Sequence, residues 1–92
     1  MNTLNTLYQI LETKKLADTT TSYTARLLQQ GEDEIIKKIG EEAVEIILAT
    51  KGQGNQRLVE EISDITYHIL VLLVQREIPL SSISDELKKR MK

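Results

Sequence analysis

The sequence has 92 residues, with 12 Lys and Arg, 14 Asp and Glu and one His, giving a formal net charge of −2. A chain of this length forms one compact domain with a small core, so we expect a single domain over residues 1–92 that associates with further copies of itself. The slight acidity, and three Tyr without Trp or Phe, argue against a nucleic-acid-binding protein. Because Cys is absent, disulfides and thiolate metal sites are excluded, and any metal must be held by oxygen.

The apolar segments are too short for a membrane protein. The first residues, MNTLNTLYQILETKK, have neither a basic lead nor a continuous apolar run, and the longest apolar runs elsewhere fall well short of a membrane span. We therefore expect a soluble, cytoplasmic protein that does not contact a membrane.

The spacing of apolar residues predicts an all-α protein. A first helix is predicted over TLNTLYQILETKK, and it breaks at LADTTTS, where Asp, Ser and Thr favour turns and caps. Ser22 is expected to cap a short second helix, YTARLLQQ, which ends near Gly31.

Two longer helices follow, over about residues 33–50 and 56–77, and the segment KGQGNQ separates them. After Pro79, Ser81 or Ser82 is expected to cap a final helix. The fold prediction is therefore a helical bundle of about five helices, in which the third and fourth form a long antiparallel hairpin.

Helical projection assigns a core face to each long helix. On the third helix it contains Ile35, Ile36, Ile39, Ala43, Ile46 and Ile47, and on the fourth Leu58, Ile62, Ile65, Ile69, Leu72 and Leu73. A polar stripe lies beside each face, and the stripe on the fourth helix contains Arg57, Glu61, Asp64, His68 and Gln75. Val44 and Leu48 are apolar on the opposite side of the third helix, so that helix is expected to contact protein on two faces.

Four carboxylates within these stripes form two pairs. Glu42 and Glu45 are one helical turn apart, as are Glu61 and Asp64. If the chain reverses around Gln53, both pairs lie at the same level of the hairpin, although only one of the two possible hands of the hairpin makes the stripes converge. Converging carboxylates repel one another and take up protons or bind cations. The pattern thus indicates a site for Mg²⁺ or Mn²⁺ that also binds a phosphorylated substrate.

A simpler interpretation is that these acids face solvent. Lys37 with Glu41, Lys38 with Glu42, and Arg57 with Glu61 have the spacing of surface ion pairs within a helix. His68 is, on the same interpretation, a hydrogen-bonded helix residue, and the two lysines are ordinary surface residues that could alternatively meet phosphate.

The segments SYTARLL, GEDEIIKKIGEEAVEIILA and LVEEISDITYHILVLL together resemble the phosphoribosyl-ATP pyrophosphohydrolase family. This family belongs to the all-α nucleoside-triphosphate pyrophosphatases of the MazG type, whose ExxE and ExxD signature is matched here by EAVE and EISD. The resemblance extends from about Leu4 to Arg90. It implies a homodimer, and this chain resembles the stand-alone form rather than a fusion with a cyclohydrolase domain.

The resemblance also implies roles for individual residues. It implies that Mg²⁺ is held by Glu42, Glu45, Glu61 and Asp64. Glu41 is implied to assist the site, and either Glu41 or Glu45 to act as the general base. Substrate contacts are implied for Ser22, Tyr23, Thr24, Lys37, Lys38 and, through the YH pair, His68.

The expected activity is Mg²⁺-dependent hydrolysis of phosphoribosyl-ATP to phosphoribosyl-AMP and pyrophosphate, the second step of histidine biosynthesis. One alternative is a house-cleaning nucleoside-triphosphate pyrophosphatase with the same metal site and a different base pocket. A second alternative is a non-catalytic helical assembly module whose acids only keep the bundle soluble.

Overall fold

The computed structural model describes residues 2–91, and in this part of the chain it contains five α-helices, one short 3-10 turn and no β-strand. The helices are α1 (Thr3–Thr13), α2 (Tyr23–Gln30), α3 (Glu32–Ala49), α4 (Asn55–Gln75) and α5 (Leu80–Lys88), and the 3-10 turn is Lys14–Leu16. The all-α prediction and the order of the helices are confirmed. None of the helices in these residues is both long enough and apolar enough to cross a membrane.

Polar side chains define where the first two helices begin. The Asn2 side-chain oxygen accepts hydrogen bonds from the N–H groups of Leu4 and Asn5 at 3.1 and 3.3 Å. Ser22 Oγ accepts one from the Ala25 N–H at 3.1 Å, which confirms the predicted cap of α2. This cap fixes the start of α2 and thereby the position of the SYT segment.

The predicted caps of α5 are wrong. The helix already begins at Leu80, so Ser81 and Ser82 lie inside its first turn. Pro79 occupies the N-cap position with φ −71° and ψ 149°, and its carbonyl accepts the Ser82 N–H at 3.0 Å. Because proline already has the φ that a helix entry requires, the helix starts before either serine is reached.

α3 and α4 form the predicted hairpin and pack against each other along their length. The turn between them contains Gly52 and Gly54, whose φ angles are 101° and 88°. Residues other than glycine rarely adopt this conformation, so the two glycines allow the tight reversal.

The hydrophobic core lies at the end of the hairpin away from this turn. Ile35 of α3 and Val71 and Val74 of α4 are almost fully buried, and α1 adds Leu11 and Tyr8. The Tyr8 hydroxyl donates a hydrogen bond of 2.6 Å to the carbonyl oxygen of Ile78, which connects α1 to the segment after α4.

The predicted core faces are only partly correct. Ile36 and Ile47 of α3 and Ile62 and Ile69 of α4 are exposed. Leu73 is buried as predicted, whereas the other buried residues of α4 are Glu61, His68, Leu70, Val71 and Val74. This difference arises because α1 and α2 pack against the side of α4 that carries Val71 and Val74. The inward side of α4 therefore includes part of its polar stripe.

Candidate active site

The two acidic stripes meet in the middle of the hairpin. His68 of α4 contacts Glu42 of α3 through a hydrogen bond of 2.8 Å between Nδ1 and Oε1. The carboxylates of Asp64 and Glu61 lie close enough to Glu42 to affect its pKa. The hairpin therefore has the hand that brings the stripes together, which the sequence could not determine.

The pKa of Glu42 is raised above its ordinary value, mainly because burial disfavours the charged carboxylate. His68 acts in the opposite direction, while repulsion from Asp64 and Glu61 raises this pKa further. The surroundings of Glu42 therefore favour either protonation of its carboxylate or binding of a cation beside it.

Glu61 is the buried acid of the cluster, since it is only 3% exposed. Its carboxylate forms an ion pair with Nη2 of Arg57, whose Nη1 also donates to Glu60 at 3.0 Å. Arg57 and Glu61 have the spacing of a surface ion pair within a helix, but Glu61 is buried. Hydrogen bonding to Glu60 and the negative charges of Glu61, Glu60 and Glu45 raise the pKa of Arg57. Arg57 is therefore the cation that compensates this side of the cluster.

The chemistry of the donor set suits a hard cation, because these acids offer only carboxylate oxygens. Within residues 2–91, however, no three Asp, Glu or His side chains are arranged so as to hold a metal ion. Glu61 is turned towards Arg57 and Glu42 towards His68, whereas Glu45 and Asp64 are exposed. A cation bound by these residues must therefore compete with Arg57 for Glu61.

The SYT segment connects α2 to α4. Ser22 caps α2, as described above. The Tyr23 hydroxyl lies 2.8 Å from Nε2 of His68, and the buried Thr24 hydroxyl forms a hydrogen bond with the hydroxyl of Tyr67. Two neighbouring side chains thus attach the start of α2 to adjacent positions on α4, beside the acidic cluster.

The remaining predicted residues lie on α3: Lys37 and Lys38 lie one turn before the pair of Glu42 and Glu45, and Glu41 directly precedes Glu42. Lys38 forms an ion pair with Glu41, with 3.9 Å between Nζ and Oε1, rather than the predicted pair with Glu42. Lys37 is exposed, as is Glu41. All three side chains are accessible from solvent.

Two residues beside the acidic cluster have roles that the sequence does not predict. Arg57 forms the ion pair with Glu61 that the spacing predicts, but the burial of Glu61 was not predicted. Tyr67 is not among the predicted site residues, yet it bonds to Thr24 and its ring contacts the edge of His68 with a centroid distance of 5.3 Å. The position of Tyr67 directly before His68 in the YH pair was the available signal.

Comparisons with known proteins identify the family of this chain. The family model described as phosphoribosyl-ATP pyrophosphohydrolase matches residues 4–91. The chain is 44% identical over 89 residues to a phosphoribosyl-ATP pyrophosphatase of Clostridium botulinum, covering 97% of this chain and 81% of that protein. It is 47% identical over 87 residues to one of Listeria monocytogenes, covering 95% and 84%.

A third relative has a longer chain. The histidine biosynthesis bifunctional protein HisIE of Caldanaerobacter subterraneus is 43% identical over 89 residues, which are 97% of this chain but 43% of that protein. The match to the family model and these relatives together show that the chain belongs to the phosphoribosyl-ATP pyrophosphohydrolase family.

Proposed function

We propose that this protein hydrolyses the α–β phosphoanhydride of phosphoribosyl-ATP, giving phosphoribosyl-AMP and pyrophosphate in histidine biosynthesis, and that it uses Mg²⁺. The proposal rests on one observation above all: Glu42 of one acidic pair lies near Asp64 and the buried Glu61 of the other, in a chain of this family. Acidic residues that only kept the helical bundle soluble would not need to lie close together beside the core. Burying a carboxylate is costly unless a cation compensates it, and Arg57 compensates Glu61 but not the partly buried Glu42.

The proposed cation ligands are Glu42, Glu45, Glu61 and Asp64. When bound, Mg²⁺, or Mn²⁺ in its place, would neutralise triphosphate charge, polarise a phosphoryl oxygen and acidify water. The protein supplies the orientation, because Glu42 and Glu61 are held by neighbouring side chains while Glu45 and Asp64 remain accessible. A site with two carboxylates held in place and two that are accessible to solvent is suited to binding a polyphosphate.

The attacking water must lose a proton as its oxygen bonds to the α-phosphorus and pyrophosphate departs with the bridging oxygen. Glu45 and Glu41 are the proposed acceptors of this proton, since both are exposed beside the cluster. Lys37 and Lys38 lie one turn earlier on the same helix, from which their ammonium groups can reach phosphate oxygens. Direct substrate contacts by Ser22, Tyr23, Thr24 and His68 stay predictions. The bonds that these four make within the chain are consistent with forming a wall of the site.

We further propose that the protein is a homodimer in the cytoplasm. Several large apolar residues of the hairpin are exposed in the single chain, and a partner subunit would cover them. They are Ile36, Val44, Ile47, Leu48, Val59, Ile62 and Ile69. The molar mass in solution, measured by light scattering, tests the dimer.

The experiment that tests the activity compares phosphoribosyl-ATP with dATP and dCTP as substrates in the presence of Mg²⁺. Preferential turnover of phosphoribosyl-ATP is expected, while preference for dATP or dCTP would favour a house-cleaning pyrophosphatase. Replacing Glu45→Gln or Asp64→Asn should lower kcat/KM by about 100-fold or more, the scale of losing a group that binds transition-state charge. Both positions are exposed, so the variants should fold.

Matched controls are available on α5. Glu86→Gln and Asp85→Asn make the same chemical changes at exposed positions outside the cluster and should retain full activity. Undiminished hydrolysis by the Glu45→Gln and Asp64→Asn variants would show that the metal-site assignment is wrong. If Mg²⁺ changes neither the Tm nor substrate binding, the assembly-module alternative is favoured.

A further inference from the structure

A continuous chain of hydrogen bonds crosses three helices beside the acidic cluster. Tyr23 of α2 contacts Nε2 of His68 at 2.8 Å, and Nδ1 of the same ring contacts Oε1 of Glu42 at 2.8 Å. His68 is 7% exposed, and it is the sole histidine of the sequence. Both nitrogens of this imidazole are therefore occupied by specific partners in a place that water scarcely reaches.

The partners of the ring determine where its proton lies. Nδ1 faces the Glu42 carboxylate and also the backbone carbonyl oxygen of Asp64 at 3.0 Å. An ionised carboxylate and a carbonyl both accept hydrogen bonds, so these two partners favour a hydrogen on Nδ1. In the neutral ring Nε2 then has a free lone pair, and the Tyr23 hydroxyl donates to it. Burial raises the pKa of Tyr23, which keeps this hydroxyl protonated.

We propose that Tyr23 and His68 are positioning residues that hold the Glu42 carboxylate for the cation. The Tyr23 hydroxyl fixes the Nδ1–H tautomer of His68, and that N–H in turn fixes one oxygen of Glu42. This inference rests on the proposed function, in which Glu42 is a cation ligand. Groups that hydrogen-bond to metal ligands orient them, and their loss commonly reduces metal affinity 10- to 100-fold.

The attachment of α2 does not depend on the Tyr23 hydroxyl. Thr24 and Tyr67 form a separate hydrogen bond between α2 and α4. The ring of Tyr23 also packs against His68 edge to face, with centroids 5.8 Å apart and planes at 86°, and phenylalanine would retain this contact. Tyr23→Phe therefore removes the hydrogen bond to Nε2 and leaves the packing in place.

Tyr67→Phe is the matched control. It makes the same chemical change in a second tyrosine whose ring also contacts His68, but the Tyr67 hydroxyl bonds to Thr24 instead of to the imidazole. A general loosening of α2 would affect both variants, whereas loss of the positioning chain would affect Tyr23→Phe alone.

The first measurement is ¹⁵N NMR of the imidazole at about pH 8, where imidazole side chains are ordinarily neutral. With a single histidine, the spectrum contains one ring. We expect the Nδ1–H tautomer in the native protein and in Tyr67→Phe, and a mixture with Nε2–H in Tyr23→Phe. A native ring protonated at Nε2, or at both nitrogens, would overturn the proposal.

The second measurement is the affinity for Mn²⁺ without substrate, obtained by calorimetry. Because Tyr23 acts through His68, one step removed from Glu42, we expect its loss to weaken Mn²⁺ binding about 3- to 10-fold, at or below the lower end of the range for such groups. Tyr67→Phe should bind Mn²⁺ as the native protein does. A tyrosine that only contacted substrate would leave Mn²⁺ binding unchanged.

A double-mutant cycle with His68→Asn completes the test. The effect of Tyr23→Phe on Mn²⁺ affinity should disappear once His68 is replaced, because the two residues act in series. Equal Mn²⁺ affinity in the native protein and in Tyr23→Phe, with phosphoribosyl-ATP still hydrolysed, would overturn this inference and leave the proposed function standing. Weakened Mn²⁺ binding in Tyr23→Phe, in a protein that does not hydrolyse phosphoribosyl-ATP, would support the inference and contradict the proposed function.

Discussion

Glu77 lies in a backbone conformation that favours glycine. It follows the C-terminus of α4 with φ 58°, and among residues 2–91 it is the one non-glycine residue with positive φ. Its N–H donates to the Val74 carbonyl at 3.1 Å, and the Ile78 N–H donates to the Leu73 carbonyl at 2.9 Å. These two bonds form a Schellman motif, in which the position of Glu77 is usually glycine.

The magnitude follows from three contributions. The left-handed conformation costs an L-residue about 1–2 kcal/mol. Glycine recovers this cost but loses about 0.5–1 kcal/mol through the greater freedom of the unfolded chain. The ion pair between Lys15 and Glu77, at 3.7 Å with side chains 40% and 80% exposed, contributes a few tenths of a kcal/mol at most. We therefore expect Glu77→Gly to stabilise the protein by about 0.5 kcal/mol, which raises Tm by about 2–4 °C.

Glu77→Ala separates the backbone from the carboxylate. Both variants lose the ion pair, so we expect glycine to be more stable than alanine by about 0.5–1 kcal/mol in urea or thermal unfolding. Lys15→Ala measures the ion pair alone. If the alanine variant is as stable as the glycine variant, the reasoning from the positive φ is refuted.

Two further predictions concern ion pairs. Arg57→Gln removes the cation that faces the buried Glu61, so Tm should fall without metal, and the rise in Tm on adding Mg²⁺ should be larger than in the native protein. Arg90→Gln, in the exposed pair with Glu86, should change neither, and equal behaviour of the two variants would contradict the role of Arg57. Hydrogen bonding from Arg76 lowers the pKa of Glu32 below its ordinary value of 4.5. The pair of Glu32 with Arg76 therefore stabilises the folded protein fully above pH 4.5, and this stabilisation is lost as the pH falls through the lowered pKa. Glu32→Gln should accordingly flatten the acid side of a plot of Tm against pH, and an unchanged slope there would show that this pair does not contribute.

The sequence was sufficient for the elements of this fold and for the level at which the acids lie. Helical periodicity, the Ser22 cap and the glycine-containing turn depend on residues close together in the chain, and all three are confirmed. Glu42 and Asp64 are equally far in sequence from Gln53, so counting residues along two antiparallel helices is enough to place them at the same level. Their convergence agrees with this placement.

The sequence was not sufficient for the direction in which α4 faces. A helical projection gives the angle between Ile62 and His68 but not which of them α1 and α2 will cover. The more apolar stripe is the predicted core, yet His68 is buried and Ile62 is exposed. The hand of the hairpin is undetermined for the same reason, since it depends on contacts between residues far apart in the chain.

The hydrogen bond from Tyr8 to the carbonyl of Ile78 joins residues 70 positions apart, and this separation in sequence bears on the order of folding. α3 and α4 are separated by a short turn, so they can pair at a low cost in loop entropy, whereas α1 must close a far longer loop. α1 packs mainly against α4, so it has no complete surface to bind until the end of α4 has been synthesised. We expect α1 to dock last and detach first, and its amide hydrogens to exchange with solvent before those of the α3–α4 hairpin.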